Sequence, residues 1–444
     1  MGTTLELAKR VVETNLEDIP KEAVERAKEL LLDFVGACVS GSQTFPGKTM
    51  CKYVRDMEAK AEATVIGCKL MTVAPYAAFA NATLCHCNEM ENVGMRGSFA
   101  ALHLLAVAIA LSERLGVSGK ELLESYVLGH EVQGRVSLAC LPASSKRIAP
   151  FKYGFLGCAA VAGKIMKLDA DGVAMAIAMA ASQAGGLAPT PGTMSHYFDF
   201  RSAARSGIEA AILVKEGITA RKDILEGEHC FLDEMVGSGD YDLEPMTADW
   251  GKNFQCTAVS IKKYPACYLS HRPLDNLLDL MEQNNITYED IESVQLDTGL
   301  LPMQWLRFDE PTSIDEARFS FKHVLGTAIL KNEVWLDSFT EAALKDPKLK
   351  EAYKKVNVKV HPEWPTGRAA LGTTVTIKLK NGKVISRESG EIREPTREEI
   401  LKNYRRLTQP LLSPVQQERS LELMLNMEKL KDISELMSIV GLRS

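Results

Sequence analysis

The chain has 444 residues, of which 46% are hydrophobic and 25% charged, so it has enough apolar material for a globular core and is long enough for two domains. Its 52 lysines and arginines against 58 aspartates and glutamates give a net charge of -6, which argues against a surface for nucleic acids or anionic membranes. The most apolar windows, 99–111 and 173–187, are interrupted by His103 and by Ser182, so we expect buried helices and no membrane span.

The N-terminal residues and the cysteines point to an intracellular protein. Residues 1–6 have no basic region followed by an apolar segment, so we expect no secretion signal. The ten cysteines lie between Cys38 and Cys267 and show no paired pattern. We therefore expect reduced, partly buried thiols and a cytoplasmic location.

Apolar and small residues recur at helical spacing through most of the first 260 residues. The clearest case begins after Pro20 and runs to the breaks at Gly36 and Gly41. Similar spacing predicts further helices within 74–85, 102–115, 122–136, 161–166 and 203–214. Because many of these segments are rich in alanine and glycine, their axes can approach closely, and we predict a large all-helical domain.

Strand patterns concentrate between residues 290 and 390. Residues 293–297, 356–360 and 374–379 alternate between apolar and polar side chains, and Asn381-Gly382 then leads into 384–385 as a hairpin with a primed turn. Helical spacing flanks these strands at 274–281 and 317–330. The pattern predicts a smaller α+β domain with an antiparallel sheet.

Helical spacing returns after Pro395, at 397–407 and 416–426. We predict a mainly α protein with a helical domain over 1–265, an inserted α+β lid domain over 266–394, and helices over 395–444 that return to the helical domain.

Standard catalytic motifs are absent, including the Walker loop, a GxGxxG after a strand, the GxSxG elbow and HExxH. Cys85, His86, Cys87 and Glu89 are all of metal-ligand type. Adjacent residues of a helix point about 100° apart, so these side chains cannot converge on one ion without a break in the helix. We predict no metal site.

Three polar segments carry the candidate chemistry. They are 86–92, which contains Glu89; 192–201, which contains His196 and Tyr197; and 262–272, which contains Lys262, Lys263 and His271. Carboxylates, imidazoles and cations together suit proton transfer on a carboxylic acid, with the cations binding its carboxylates and stabilising an enediolate-like charge. Each segment taken singly also fits a solvated loop or a helix cap.

Eight short stretches of sequence, spread over some 300 residues and overlapping two of these polar segments, can be compared with a known family as one ordered set. They lie at 31–36, 80–86, 129–135, 181–187, 205–207, 225–227, 262–267 and 319–320. Together they resemble the 2-methylcitrate dehydratase (MmgE/PrpD) family, which also contains cis-aconitate decarboxylase and iminodisuccinate epimerase. The resemblance implies the two-domain fold predicted above, a homodimer, and no need for a metal or an organic cofactor.

The polar set departs from the family pattern. The family's His-x-x-Asp-x-Asp-Asp corresponds to His86, Glu89, Glu91 and Asn92 here, and a His-Pro after it is replaced by Phe99 and Ala100. The family histidine at that place resembles a proton donor, which Phe99 cannot be. His103 lies one helical turn later, where it is either a partial substitute or a core histidine.

Further departures replace cationic side chains by aromatic ones. Phe151 and Tyr153 lie where the family has Gly-Phe-His-Pro-Thr, and His196 and Tyr197 replace its Lys-Arg. With Phe99, these rings imply a pocket for a ligand that is less highly charged than a tricarboxylate, because a buried carboxylate without a cationic partner costs several kcal/mol.

The resemblance and the residues together predict a cofactor-independent lyase of the dehydratase or decarboxylase type, acting by α-proton abstraction on a small carboxylic acid. The candidate roles are His196 or Glu89 as base, Tyr153 or His271 as acid, and Lys262 with Lys263 as the clamp for carboxylate and enediolate. Two alternatives stay open: an epimerase of a carbon next to a carboxylate, which needs the same first step, and a family member without catalytic activity.

Overall fold

The computed structural model describes residues 2–94, 102–140, 150–185, 191–198, 201–364, 372–389 and 392–443, and for residues 150, 151 and 389 it describes the backbone alone. The fold is mainly helical, as predicted. No helix within these ranges combines the length and the apolar character that crossing a bilayer requires.

The helices begin where the sequence supplies caps. Ser118 and Glu121 form a capping box at the start of the sixth helix, and Thr396 and Glu399 form another at the start of the eighteenth. The helices are α1 Thr3–Glu13, α2 Lys21–Gly41, α3 Phe45–Arg55, α4 Ala74–His86, α5 Leu102–Leu115, α6 Gly119–Ala139, α7 Gly154–Ile165, α8 Ala170–Ala181, α9 Arg201–Lys215, α10 Phe231–Val236, α11 Glu244–Thr247, α12 His271–Gln283, α13 Leu300–Trp305, α14 Ile314–Ala317, α15 Phe321–Lys331, α16 Glu341–Lys345, α17 Pro347–Lys355, α18 Arg397–Thr408, α19 Pro414–Leu425 and α20 Ser434–Val440.

The strands form one sheet of four strands and two short ladders. They are β1 Ala63–Val65, β2 Leu70–Thr72, β3 Val93–Gly94, β4 Val259–Ser260, β5 Ile291–Thr298, β6 Val356–Val360, β7 Thr373–Leu379 and β8 Val384–Ser389. The pairs β1–β2 and β3–β4 are antiparallel and lie in the part of the chain predicted to be all helical, so that prediction is wrong in this detail.

The larger hydrophobic core is helical and draws on both ends of the chain. Helix α4 packs against α2, α5 and α9, and α18 packs along α2. Close approach depends on small residues: a Cβ at Gly41 would meet the Leu84 carbonyl oxygen at 1.8 Å. Tyr404 and Leu407 of α18 belong to the same core as the N-terminal helices. The predicted domain boundaries themselves remain a prediction.

The smaller core lies between the four-stranded sheet and helices α12, α15 and α17. The strand order is β6-β5-β7-β8, with β5–β7 and β7–β8 antiparallel but β5–β6 parallel. The antiparallel prediction is therefore wrong for β6. The connection between β5 and β6 carries helices α13 to α17, which gives it the length that a parallel crossover needs.

The turn between β7 and β8 also differs from the prediction. The Gly382 N–H donates to the Leu379 carbonyl at 2.9 Å, and Gly382 has φ 85° whereas Asn381 does not have a positive φ. This is a type I turn followed by a left-handed glycine rather than a primed turn, because both primed types need a positive φ at the first central residue.

The cysteines correct one expectation. Cys51 of α3 and Cys68, which follows β1, form a disulfide with their Cα atoms 6.1 Å apart, because the β1–β2 hairpin brings the second residue beside the helix. The eight other cysteines are free and buried, as expected for thiols that pack as small apolar side chains.

Two buried histidines of the larger core predict how stability depends on pH. Burial lowers the pKa of His103 to about 4, and burial with the nearby His103 lowers that of His130 to about 3. Because these values lie below the ordinary 6.5, the stabilisation is complete above that pH and is lost as the pH falls towards 4 and then 3. Between about pH 6 and 4.5 the free energy of unfolding should fall by about 1.4 kcal/mol per pH unit for each histidine.

Urea unfolding at several pH values measures this slope. The variant His130→Gln should reduce the slope by about 1.4 kcal/mol per pH unit, since it removes one buried protonation site. A slope that is unchanged in this variant would contradict the assignment.

Candidate active site

Three chain segments build a buried cluster of titratable side chains. The first follows α4, which Asn81 fixes to the β1 region by accepting from the Ile66 N–H at 2.9 Å and donating to the Thr64 carbonyl at 2.9 Å. The second is a short 3-10 helix over Met194–Phe198, and the third follows β4. These correspond to the three polar segments singled out in the sequence.

The β3–β4 ladder sets the alignment of the first and third segments. Val93 pairs with Ser260 in antiparallel register. Extending this register by two residues on each strand places Glu91 opposite Lys262, and their side chains meet there: Lys262 Nζ donates to Glu91 Oε1 at 2.5 Å. The cluster therefore depends on a ladder of only two residue pairs.

Glu89 is the centre of the cluster. Its backbone lies in the left-handed region with φ 53°, a conformation that costs a residue with a Cβ about 1–2 kcal/mol. Its Oε1 lies 3.2 Å from His86 Nε2 and 3.3 Å from His196 Nε2, and its Oε2 accepts from Lys262 Nζ at 2.9 Å. One carboxylate thus joins all three segments.

The buried charges shift each other's protonation. Glu89, Glu91 and Lys262 are 2%, 5% and 1% exposed. Burial acts to raise the pKa of Glu89, but the Lys262 charge and His86 hold it well below its ordinary value. Burial and the charge of Glu89 raise the pKa of Glu91, whereas the two carboxylates raise that of Lys262 above its ordinary value although burial opposes this. Glu89 is therefore ionised, and Glu91 is the carboxyl that takes up a proton first.

The contacts of Glu89 favour one tautomer of each of the two histidines. A carboxylate oxygen only accepts hydrogen bonds, so each imidazole must present an N–H at Nε2 to bond with it. In a neutral ring this arrangement leaves the proton-accepting lone pair on Nδ1. The arrangement is that of a carboxylate–histidine pair, in which the carboxylate orients the ring and stabilises the imidazolium that forms when the ring accepts a proton.

The donor atoms of His86, Glu89 and His196 lie within 4.8 Å of one another, a spacing that a metal ion could also use. The second oxygen of Glu89 already faces the Lys262 ammonium at 2.9 Å, so a divalent ion here would be repelled by that charge. The absence of a metal from the reaction remains a prediction.

Tyr197 packs beside the cluster. Its ring lies edge-on to His86 with 5.7 Å between centroids, and its hydroxyl donates to Asp315 Oδ1 at 2.5 Å. The side chain is buried, so the apolar part of the ring encloses the histidines while the hydroxyl is bonded to the second half of the chain. Its contact with a substrate remains a prediction.

Lys263 and His271 make contacts within the third segment and helix α12. Lys263 forms an ion pair with Asp275 of α12, which also accepts from the Tyr264 hydroxyl at 2.8 Å. His271 Nε2 lies 3.3 Å from the Ala266 carbonyl oxygen. Burial, followed by the charges of Lys262 and Lys263, lowers the pKa of His271 well below its ordinary value. His271 is therefore neutral near pH 7 and could donate a proton only after receiving one.

Tyr153 and His103 lie near the start of α7, which packs against α5 and α6. His103 Nε2 bonds with Gln133 Oε1 at 2.6 Å and lies beside Gly154, where a Cβ would meet it at 2.3 Å. The Tyr153 ring lies edge-on to Phe231 with 6.4 Å between centroids. Phe99 and the side chain of Phe151 lie outside the described residues.

The structure also brings in residues that were not among the predicted site residues. His86 contacts Glu89, and Glu91 contacts Lys262. From the second half of the chain, Arg318 bonds to the Cys87 carbonyl and Asp315 to the Tyr197 hydroxyl, beside the cluster. His86 and Glu91 were visible as members of the polar segment after α4. Nothing in the local pattern around Arg318 signals its contact, because its partners precede it by about 230 residues.

Two models of known protein domains together match most of the chain. A model of the MmgE/PrpD N-terminal domain matches residues 5–244, and a model of the MmgE/PrpD C-terminal domain matches residues 264–429. Lys262 lies just before the second match, at the junction.

Relatives of known function resemble the chain over most of its length. It is 26% identical over 435 residues to cis-aconitate decarboxylase of Homo sapiens, covering 94% of this chain and 90% of the relative. It is 28% identical over 399 residues to the enzyme of that name from Mus musculus, covering 86% of this chain and 81% of the relative. It is 27% identical over 481 residues to the enzyme of that name from Aspergillus terreus, covering 99% of this chain and 96% of the relative. The chain therefore belongs to the MmgE/PrpD family.

Proposed function

We propose that the protein is a cofactor-independent lyase that moves a proton at the carbon next to a carboxylate of a small organic acid. The observation that carries the proposal is the Glu89 carboxylate, which lies between two imidazoles and one buried ammonium. Family membership and the decarboxylases among the relatives make the protein an enzyme of the lyase kind.

The geometry favours His196 over Glu89 as the base. Glu89 has a pKa well below its ordinary value and is therefore a weak base, whereas an imidazole paired with a carboxylate is well suited to accept a proton near neutral pH. In a dehydration, His196 takes the α-proton and the β-hydroxyl leaves as water with a proton from an acid. In a decarboxylation, the carbon–carbon bond breaks first and a protonated group returns a proton to the carbanion. Tyr153 and His271 remain the proposed acids.

Lys262 is proposed as the clamp, but its ammonium is already shared between Glu89 and Glu91. A substrate carboxylate that approaches Lys262 therefore adds a third negative charge to the cluster. Glu91, whose pKa is raised, can remove one of these charges by taking up a proton. Each further carboxylate on the ligand would face the same repulsion, which supports a substrate less charged than a tricarboxylate.

The proposal includes the surroundings predicted for this site. Residues 266–394 act as a lid inserted before the final helices, Lys263 assists Lys262, and Phe99, Phe151, Tyr197 and His103 line the substrate. The working assembly is a homodimer in the cytoplasm.

A thermal-shift panel of hydroxy, amino and unsaturated mono-, di- and tricarboxylates tests the substrate class. At 100 times its dissociation constant a ligand stabilises the native state by about 2.7 kcal/mol, which is a readily measured shift. We expect mono- or dicarboxylates to stabilise the protein more than tricarboxylates at equal concentration. Strongest stabilisation by a tricarboxylate would contradict the charge argument, and no stabilisation by any acid would contradict the proposed substrate class.

The best ligand is then incubated with the enzyme in D2O. A lyase releases an eliminated or decarboxylated product. Deuterium in recovered substrate without elimination would instead identify an epimerase, and neither change would identify a member without activity.

Variants of Lys262 test the role of the buried ammonium. Lys262→Met leaves two buried carboxylates without their cation, so we expect loss of turnover and about 3–5 kcal/mol of stability. Adding Glu91→Gln removes one of those charges and should restore part of the stability without restoring turnover. Circular dichroism and denaturant unfolding measure the stability, and product formation measures the turnover.

Lys28 provides the matched control, because it also bridges two glutamates, Glu25 and Glu428, each at 2.8 Å, and neither glutamate belongs to the cluster. Lys28→Met should lose less stability, since its partners are partly exposed, and should retain turnover. Wild-type turnover in Lys262→Met would refute the proposed clamp.

A further inference from the structure

One short segment of the second half of the chain contacts all three segments of the cluster. It comprises residues 315–319, at the end of α14, and we call it the clasp. Ala317 and Phe319 anchor it in the smaller core. Its contacts with the larger, helical part of the protein are made by Asp315, Arg318 and Phe319.

Arg318 holds the turn that carries Glu89. Its Nη1 donates to the Cys87 carbonyl oxygen at 3.1 Å, and its Nη2 donates to Asn88 Oδ1 at 3.1 Å. These two residues lie between His86 and Glu89 in the chain. The guanidinium is buried, so each of these charge-assisted hydrogen bonds forms away from competing water.

The turn needs such support. Asn88 Nδ2 donates to Ser40 Oγ of α2 at 2.7 Å, so its amide bridges the larger core and Arg318. The next residue, Glu89, adopts the left-handed conformation that a side chain with a Cβ disfavours. A strained conformation of this kind persists only when its surroundings hold it.

The rest of the clasp touches the two other segments. Asp315 Oδ1 accepts from the Tyr197 hydroxyl, and the Phe319 ring lies edge-on to His196 with 5.3 Å between centroids. The Arg318 carbonyl accepts from the Cys267 N–H at 2.9 Å, five residues after Lys262. The clasp therefore contacts His196 directly, bonds to the residue after His86, and bonds to the segment that follows Lys262.

We propose that Arg318 is a positioning residue for the reaction: it holds the 87–89 turn so that Glu89 faces both His86 and His196, and it makes this alignment depend on docking of the smaller core. The catalytic consequence rests on the proposed function, whereas the alignment of the histidines does not. Arg318 touches neither the imidazoles nor the lysine through its guanidinium bonds, so it acts through the turn.

The test replaces Arg318 by lysine, which keeps the charge but lacks the planar fork that reaches two acceptors at once. The matched control is Arg135→Lys. Arg135 is also buried, donates from Nη1 to the Pro245 and Ala248 carbonyls and from Nε to Glu131, and lies over the Trp250 ring, as Arg318 lies over a phenylalanine. Because Arg135 also pairs with the buried Glu131, Arg135→Lys should lose at least as much stability as Arg318→Lys, so a loss of stability alone cannot produce an effect confined to Arg318→Lys.

The first readout needs no substrate. In 15N-labelled protein, the imidazole signals of His86 and His196, assigned from His86→Gln and His196→Gln, are followed against pH. Arg318→Lys should change their titration or tautomer signals, and Arg135→Lys should leave them as in the wild type. Wild-type titration of both histidines in Arg318→Lys would overturn the proposal.

The second readout uses the substrate found by the thermal-shift panel. Arg318→Lys should lower kcat by about 10–100-fold, the range typical for loss of a supporting contact, with KM changed by less than about 3-fold. Arg135→Lys should keep kcat within about 2-fold once corrected for the folded fraction. An equal loss of kcat in both variants would reduce Arg318 to a structural role. Altered histidine signals without turnover in the wild type would leave the alignment intact and refute the proposed function instead.

Discussion

The contact between one buried ammonium and two buried carboxylates is the constraint on which the site depends. Lys262 lies between Glu89 and Glu91, and none of the three has appreciable access to water. Removing an ion from water costs several kcal/mol, which is recovered only if the partners meet with good geometry. The two-pair ladder of β3 and β4 supplies that geometry, because its register sets Glu91 opposite Lys262. Once Lys262 is in place, Glu89 stays ionised and can orient both imidazoles.

The division of the molecule into two hydrophobic cores explains how the site is assembled. The helical core contributes the end of α4 and the 194–198 turn, which carry His86 and His196. The smaller core contributes α14 and the residues after it. A site made from both cores is complete only when they are docked, so contacts across their boundary can control the chemistry without touching the reacting atoms.

The sequence was sufficient for the parts that depend on local pattern. Helical spacing predicted α2, α5 and α6, alternation predicted β5 to β8, and the polar segments contained Glu89, His196 and Lys262, which the structure brings into contact. The parts that failed depend on tertiary packing. The ladders β1–β2 and β3–β4 are two or three residues long, too short to produce a periodic signal.

The same limit applies to residue environments. Lys262 belongs to a segment whose pattern also fits a solvated loop, yet it is almost fully buried. Its burial depends on Glu89 and Glu91, which lie some 170 residues earlier. The partners of Arg318 and the Cys51–Cys68 pair are likewise brought together by the fold.

The most direct measurement of the central claim is the tautomer of His86 and His196 from 15N imidazole shifts at neutral pH, in the wild type and in Glu89→Gln. Both rings should carry Nε2–H in the wild type and lose that preference in the variant; Nδ1–H tautomers in the wild type, or no change in the variant, would contradict it.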